Sequence, residues 1–144
     1  MMKPLHNRIE VIYCDDVREE IGSKFSYMGV YGADLVIPKF PVVLPKLCLV
    51  VKVILDIEKP LHDLEVIVLQ GDEEREILGT GQIQFPPKES IQTEGSNFIV
   101  FQTFLILSPF QIDGETILRV HAKTGSEILK GVALRIKSAP SLNA

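Results

Sequence analysis

The chain has no tryptophan, two cysteines, three histidines and only five alanines among its 144 residues. Each shortage removes a class of protein. Without tryptophan, and with three tyrosines, there is little material for a sugar-stacking platform. Scarce alanine argues against helices, because alanine is the strongest helix former. Positive charge is also short: 15 Lys+Arg face 19 Asp+Glu, a net charge of −4 with no basic tract. Such a chain lacks the patch that releases counterions from nucleic acid or draws a protein to anionic lipid, so neither partner is expected. The longest apolar run, Leu47 to Val51, stops at Lys52. That is far below the ~20 residues of a membrane helix. Met1 to Arg8 shows no apolar leader segment, and the expected compartment is the cytoplasm. There Cys14 and Cys48, both in apolar strand-like runs, are read as reduced core residues rather than a disulfide. A phosphate-binding glycine loop, CxxC, HExxH and GxSxG are all missing. No catalytic residue, cofactor or metal is assigned.

What remains is rich in one kind of residue. The chain is 46% hydrophobic and 24% charged, ordinary values for one soluble domain with a single core. Sixteen isoleucines and fourteen valines stand against the five alanines. β-Branched side chains favour pleated strands, so the balance predicts an all-β fold.

The pattern along the chain agrees. Ile9, Val11 and Tyr13 share one face of a first strand, Arg8 to Cys14. Asp16 and Glu19 then have capping-box spacing, Val17 and Ile21 are i,i+4 neighbours, and Gly22 can end a turn, which together predict one short helical turn. Lys24 to Ile37 is extended, with Gly29 and Gly32 suggesting a bulge or sheet corner. Three prolines between Pro38 and Pro45 make a crossover that still carries Phe40, Val42, Val43 and Leu44. Leu47 to Ile57 is the clearest strand, with Leu47, Leu49, Val51, Val53, Leu55 and Ile57 on one parity. Leu64, Val66 and Val68 form the inward face of the next. Gly71 to Glu74 is a hairpin turn, and Glu76 to Phe85 returns, with Gly79-Thr80-Gly81 read as a bulge. After a polar loop from Pro86 to Ser96, the strand from Asn97 to Leu107 is apolar on both parities, which one buried face does not explain. Glu115 to Lys123 and Ser126 to Lys137 complete about eight strands in one domain, residues 1–144, with an ordered core of about 8–137.

The runs Tyr13 to Glu20, Lys24 to Gly32 and Phe40 to Leu47, with the corner Ser108-Pro109-Phe110 and Gly114-Glu115-Thr116, resemble a family of small uncharacterised bacterial proteins. The likeness spans roughly Arg8 to Lys137. It implies an antiparallel β-sandwich of immunoglobulin-like or jelly-roll-like character, and it brings no assigned reaction, cofactor or site residue.

Two functional readings follow. The first is a non-enzymatic interaction or assembly module that binds another protein or itself, with Ile99, Phe101, Leu105, Phe40 and Val43 as interface candidates; the alternative for these residues is that the crossover folds over the two-faced strand. The second is a small-ligand or ion-binding module. If the strands alternate in direction, the connections holding Asp15 and Asp16, then Glu58, His62 and Asp63, then Glu89 and Glu94 gather at one end, where carboxylates and an imidazole can bind a cation. Against it, Asp16 can simply cap the helical turn while the others are solvated. His121 shares a face with Glu115, Arg119 and Lys123 and is read as solvated. An enzyme comes third, since no nucleophile–base pair is visible and Asp15 and Asp16 disfavour a Cys14 thiolate.

Overall fold

A computed structural model describes residues 6–86 and 97–140. The described chain is built of strands: β1 (Arg8–Glu20), β2 (Lys24–Val30), β3 (Asp34–Ile37), β4 (Val42–Leu44), β5 (Leu47–Asp56), β6 (Leu64–Gln70), β7 (Arg75–Gly79), β8 (Phe98–Leu107), β9 (Phe110–Ile112), β10 (Thr116–Thr124), β11 (Glu127–Lys130) and β12 (Leu134–Ser138). One sheet has the order β2-β1-β5-β8. The other runs β3-β12-β10-β6-β7, with β11 also paired to β10, and β4 and β9 form a small separate ribbon. All pairings are antiparallel except that of β12 with β3.

The two large sheets close on a single core. Leu47, Leu49, Val51, Val53 and Leu55, every second residue of β5, are buried against Val66 and Val68 of β6, Leu118, Val120 and Ala122 of β10, and Leu134 and Ile136 of β12. This is the period-two pattern of the sequence turned into a sandwich. Tyr13 ties the layers together: its hydroxyl donates to the Val132 carbonyl at 2.8 Å. Burial pushes that phenol far above its usual range. Gly131 lies so close to β1 that a Cβ there would stand 2.5 Å from Val11 Cγ2.

Several local expectations give way. The segment expected as a helical turn is strand: β1 runs on to Glu20, pairing Asp16 with Met28, Val17 with Tyr27 and Glu19 with Phe25. Asp16 accepts the N–H of Val17 at 2.9 Å, not the amide three residues on that a capping box requires. Seven residues of β2 offer a ladder that outcompetes a single turn. Gly22 (φ +92°) and Ser23 (φ +57°) make the reversal. Gly29, at φ +67°, packs against the Asp15 side chain, where an added Cβ would collide. The chain turns the sheet corner between Val30 and Asp34, as the glycines suggested. In β7 the bulge precedes the glycine pair, since Val68 faces Leu78 but Leu69 faces Glu76. His121 is buried, not solvated.

Candidate functional site

The acidic loop residues do not form one end. In the register of β1 with β5, Arg8 faces Ile54 and Cys14 faces Cys48, so Asp15 and Asp16 lie beyond the start of β5. His62 and Asp63 follow its other terminus, and ten residues of strand, ~30 Å, separate the two pairs. The first strand does not end at Cys14, and its continuation to Glu20 puts both aspartates mid-strand.

Each of these aspartates already has a protein partner. Lys46 Nζ donates to Asp16 Oδ1 at 3.0 Å. That bond, with the Val17 N–H, holds the Asp16 carboxyl below its ordinary range. Tyr31 donates its hydroxyl to Asp15 Oδ1. Burial first, and then this bond, push the Tyr31 phenol up to about 12.

At the other end, His62 contributes to a cleft of about 250 Å³ with Asn7, Asp56, Lys59, Thr124 and Glu127 among its walls. Three of its polar residues close the end of β5: Asn7 Oδ1 accepts the Asp56 N–H at 2.8 Å, Asn7 Nδ2 donates to Glu127 Oε1 at 2.8 Å, and Asp56 Oδ1 accepts the Glu58 N–H at 2.9 Å. Asp63 borders a more open neighbouring hollow with Gln82 and Lys123. Among the described residues no set of three or more His, Cys, Asp or Glu is placed to share a metal ion. Glu89 and Glu94 lie outside the described residues.

The two-faced strand is more informative. Leu105 of β8 stands opposite Leu49, which turns the odd-numbered side chains inward. Leu105 is buried, and Ile99 and Phe101 pack against the core. These three interface candidates therefore belong to the core face, and the outward parity is Val100, Gln102, Phe104 and Ile106. Val100 is 58% exposed and Ile106 48%. Beside them Phe104 meets Phe25 of β2 with ring centroids 4.8 Å apart, and Gln102 Nε2 donates to the Tyr27 hydroxyl at 3.3 Å. Beneath Phe104 and Tyr27 a small second cluster of Cys14, Cys48 and Val50 is fully buried.

The crossover does not cover this face. Its β4 pairs with β9, and Phe40, Val42 and Leu44 pack onto the sandwich core, leaving Val43 outward and 56% exposed. Phe40 is thus a core-side residue. The outward set was hidden in the sequence because both parities of Asn97 to Leu107 are apolar; only the register with β5 separates them.

A family of unknown function, DUF6941, matches residues 10–137. The chain belongs to this family. The match reaches from within β1 into β12, so the DUF6941 unit takes in nearly all of the described sandwich, in keeping with the resemblance seen in the sequence. No curated protein and no solved structure matches the chain. Among the described residues, no helix is long and apolar enough to cross a membrane.

Proposed function

We propose that this DUF6941 protein is an interaction module that self-associates through β8 and the adjoining outer face of the four-stranded sheet. One observation carries the reading: β8 is a ten-residue strand at the end of its sheet, and it contains no charged residue and no proline. Exposed edges of this kind invite pairing, and proteins usually blunt them with charge, proline, bulges or shortness. The other edges are blunted. β3 has four residues, β7 has five and carries Arg75 and Glu76, and β2 carries Lys24 and a positive-φ glycine. From Ile99 to Leu107 no such device is present.

A second copy of the chain is the occupant that suits the strand. Two antiparallel β8 strands related by a two-fold axis at Gln102 set Val100 of one copy opposite Phe104 of the other, with both core faces on the same side of the sheet. The contact is self-complementary, as an isologous dimer requires, and it continues the apolar stripe across both copies. Nothing in this role needs a reaction.

Sedimentation velocity over a range of concentrations tests the proposal, with Val100→Lys, Ile106→Lys and the double variant beside the wild type. We expect a wild-type dimer and folded monomeric variants. A wild type that stays monomeric at every concentration overturns the reading, as does a double variant that still dimerises.

A further inference from the structure

The two cysteines of the chain are direct partners across antiparallel strands, Cys14 of β1 opposite Cys48 of β5. Residues so placed have Cα atoms ~4.5–5.5 Å apart, within the span that disulfides use. Their side chains share one small cluster, and their sulfurs converge on one dipeptide. Cys14 Sγ lies 3.5 Å from the Asp16 carbonyl oxygen and Cys48 Sγ 3.8 Å from that of Asp15. Burial pushes both thiols up, and for Cys14 the neighbouring Cys48 adds to it, so the pair rests protonated. The cluster is not part of the core between the sheets. It lies on the outer side of the four-stranded sheet, beneath the partly exposed Ile12, Val17, Tyr27 and Phe104. Val17 and Tyr27 belong to the β1–β2 hairpin, whose β2 strand is exposed along nearly its whole length. Local opening of such a hairpin would give a small oxidant a route to the sulfurs.

We propose that Cys14 and Cys48 form a cross-strand dithiol that closes to an intramolecular disulfide, a redox-controlled clamp of β1 on β5 beneath the outer face of the sheet. The oxidant is a low-molecular-weight disulfide. One cysteine thiolate attacks it, forming a mixed disulfide and releasing one small thiolate; the second cysteine thiolate then attacks the protein sulfur of that mixed disulfide and releases the other. Two protein thiols are oxidised to one disulfide, the small disulfide is reduced to two thiols, and the protons pass to the released thiolates.

Because the chain has only these two cysteines, the products are unambiguous. Wild-type protein is equilibrated in glutathione mixtures from reducing to oxidising, both natively and after refolding in the same mixtures. It is then acid-quenched, alkylated and read by intact mass and non-reducing electrophoresis. The expected product lacks two hydrogen atoms, carries no glutathione and has no bond between chains. It forms at an oxidised-to-reduced ratio lower by on the order of a hundredfold than the same chain requires in denaturant. Cys14→Ser and Cys48→Ser each retain one glutathione instead. Two free thiols after refolding in the most oxidising mixture, two glutathione adducts, a disulfide between chains, or closure no easier in the folded than in the unfolded protein would each overturn the proposal.

Discussion

Leu49 of β5 faces Leu105 of β8, and this single pairing decides which half of an all-apolar strand is core and which is surface. With Leu105 inward, Ile99 and Phe101 follow it, and Val100 and Ile106 point away. The two parities should therefore answer differently to substitution. Leu105→Ala removes buried methyl groups and is expected to cost about 2–4 kcal/mol in urea unfolding. At a protein concentration where the wild type is monomeric, Val100→Lys replaces a half-exposed side chain and should shift stability by less than ~0.5 kcal/mol, while at higher concentration it changes the sedimentation coefficient. Equal losses of stability at both positions would show the register to be wrong.

The ion pair between Lys46 and Asp16 is partly solvated, so its effect is sought in titration rather than stability. Asp16 has a folded pKa below its ordinary 3.8, chiefly through the Lys46 hydrogen bond and then the Val17 N–H. A carboxyl depressed on folding contributes stability above the unfolded value, and that contribution fades as pH falls through the folded one. Lys46→Met should bring the Asp16 carboxyl, followed by carbon-detected NMR, part of the way back toward 3.8. An unmoved titration would mean that Lys46 does not hold it.

These contacts show where the sequence was readable and where it was not. Alternation along Leu47 to Ile57 exposed the buried face of β5, because one side of that strand carries nearly all its large aliphatics. In β8 alternation is silent, since each parity is apolar and the deciding contact is more than fifty residues away in the chain. Asp16 and Glu19 imitate a helix cap locally, yet pairing with β2, invisible to short-range spacing, wins. Grouping Asp15 with His62 failed through that same error, as an extra stretch of strand carries the aspartates past the turn. His121 reads as solvated from the sequence because its strand neighbours Arg119 and Lys123 are charged, yet it is buried. Cross-strand Ile67 and Lys130 flank it, and it is only 7% exposed.

Burial lowers the His121 pKa from its ordinary 6.5; Glu74 opposes the shift, while Lys130, Arg119 and Lys123 reinforce it. The unfolded chain then binds the proton more readily than the folded one. Stability from the neutral imidazole is complete above pH 6.5 and is lost as pH falls from 6.5 through the lower folded value. Urea midpoints measured from pH 8 to pH 5 should fall more steeply for wild type than for His121→Phe, which has nothing to titrate there. Parallel profiles would remove the histidine from the acid sensitivity.

Gly131 and Val11 test how tightly the β11–β12 connection is held to the four-stranded sheet. A methyl group at 131 would lie 2.5 Å from Val11 Cγ2 and 3.3 Å from the Val120 carbonyl oxygen, and the Gly131 N–H donates to that same carbonyl at 2.8 Å. The backbone cannot withdraw without giving up this hydrogen bond. Gly131→Ala should therefore destabilise by about 1–3 kcal/mol, the usual cost of overpacking. Val11→Ala alone empties part of the core and costs about 1–2 kcal/mol. In the double variant the new methyl enters the space that the valine vacated, so the combined loss should be smaller than the sum of the single losses by at least ~0.5 kcal/mol. Strict additivity in denaturant unfolding would mean that the two residues do not meet, and that the connection rides above β1 at a greater distance.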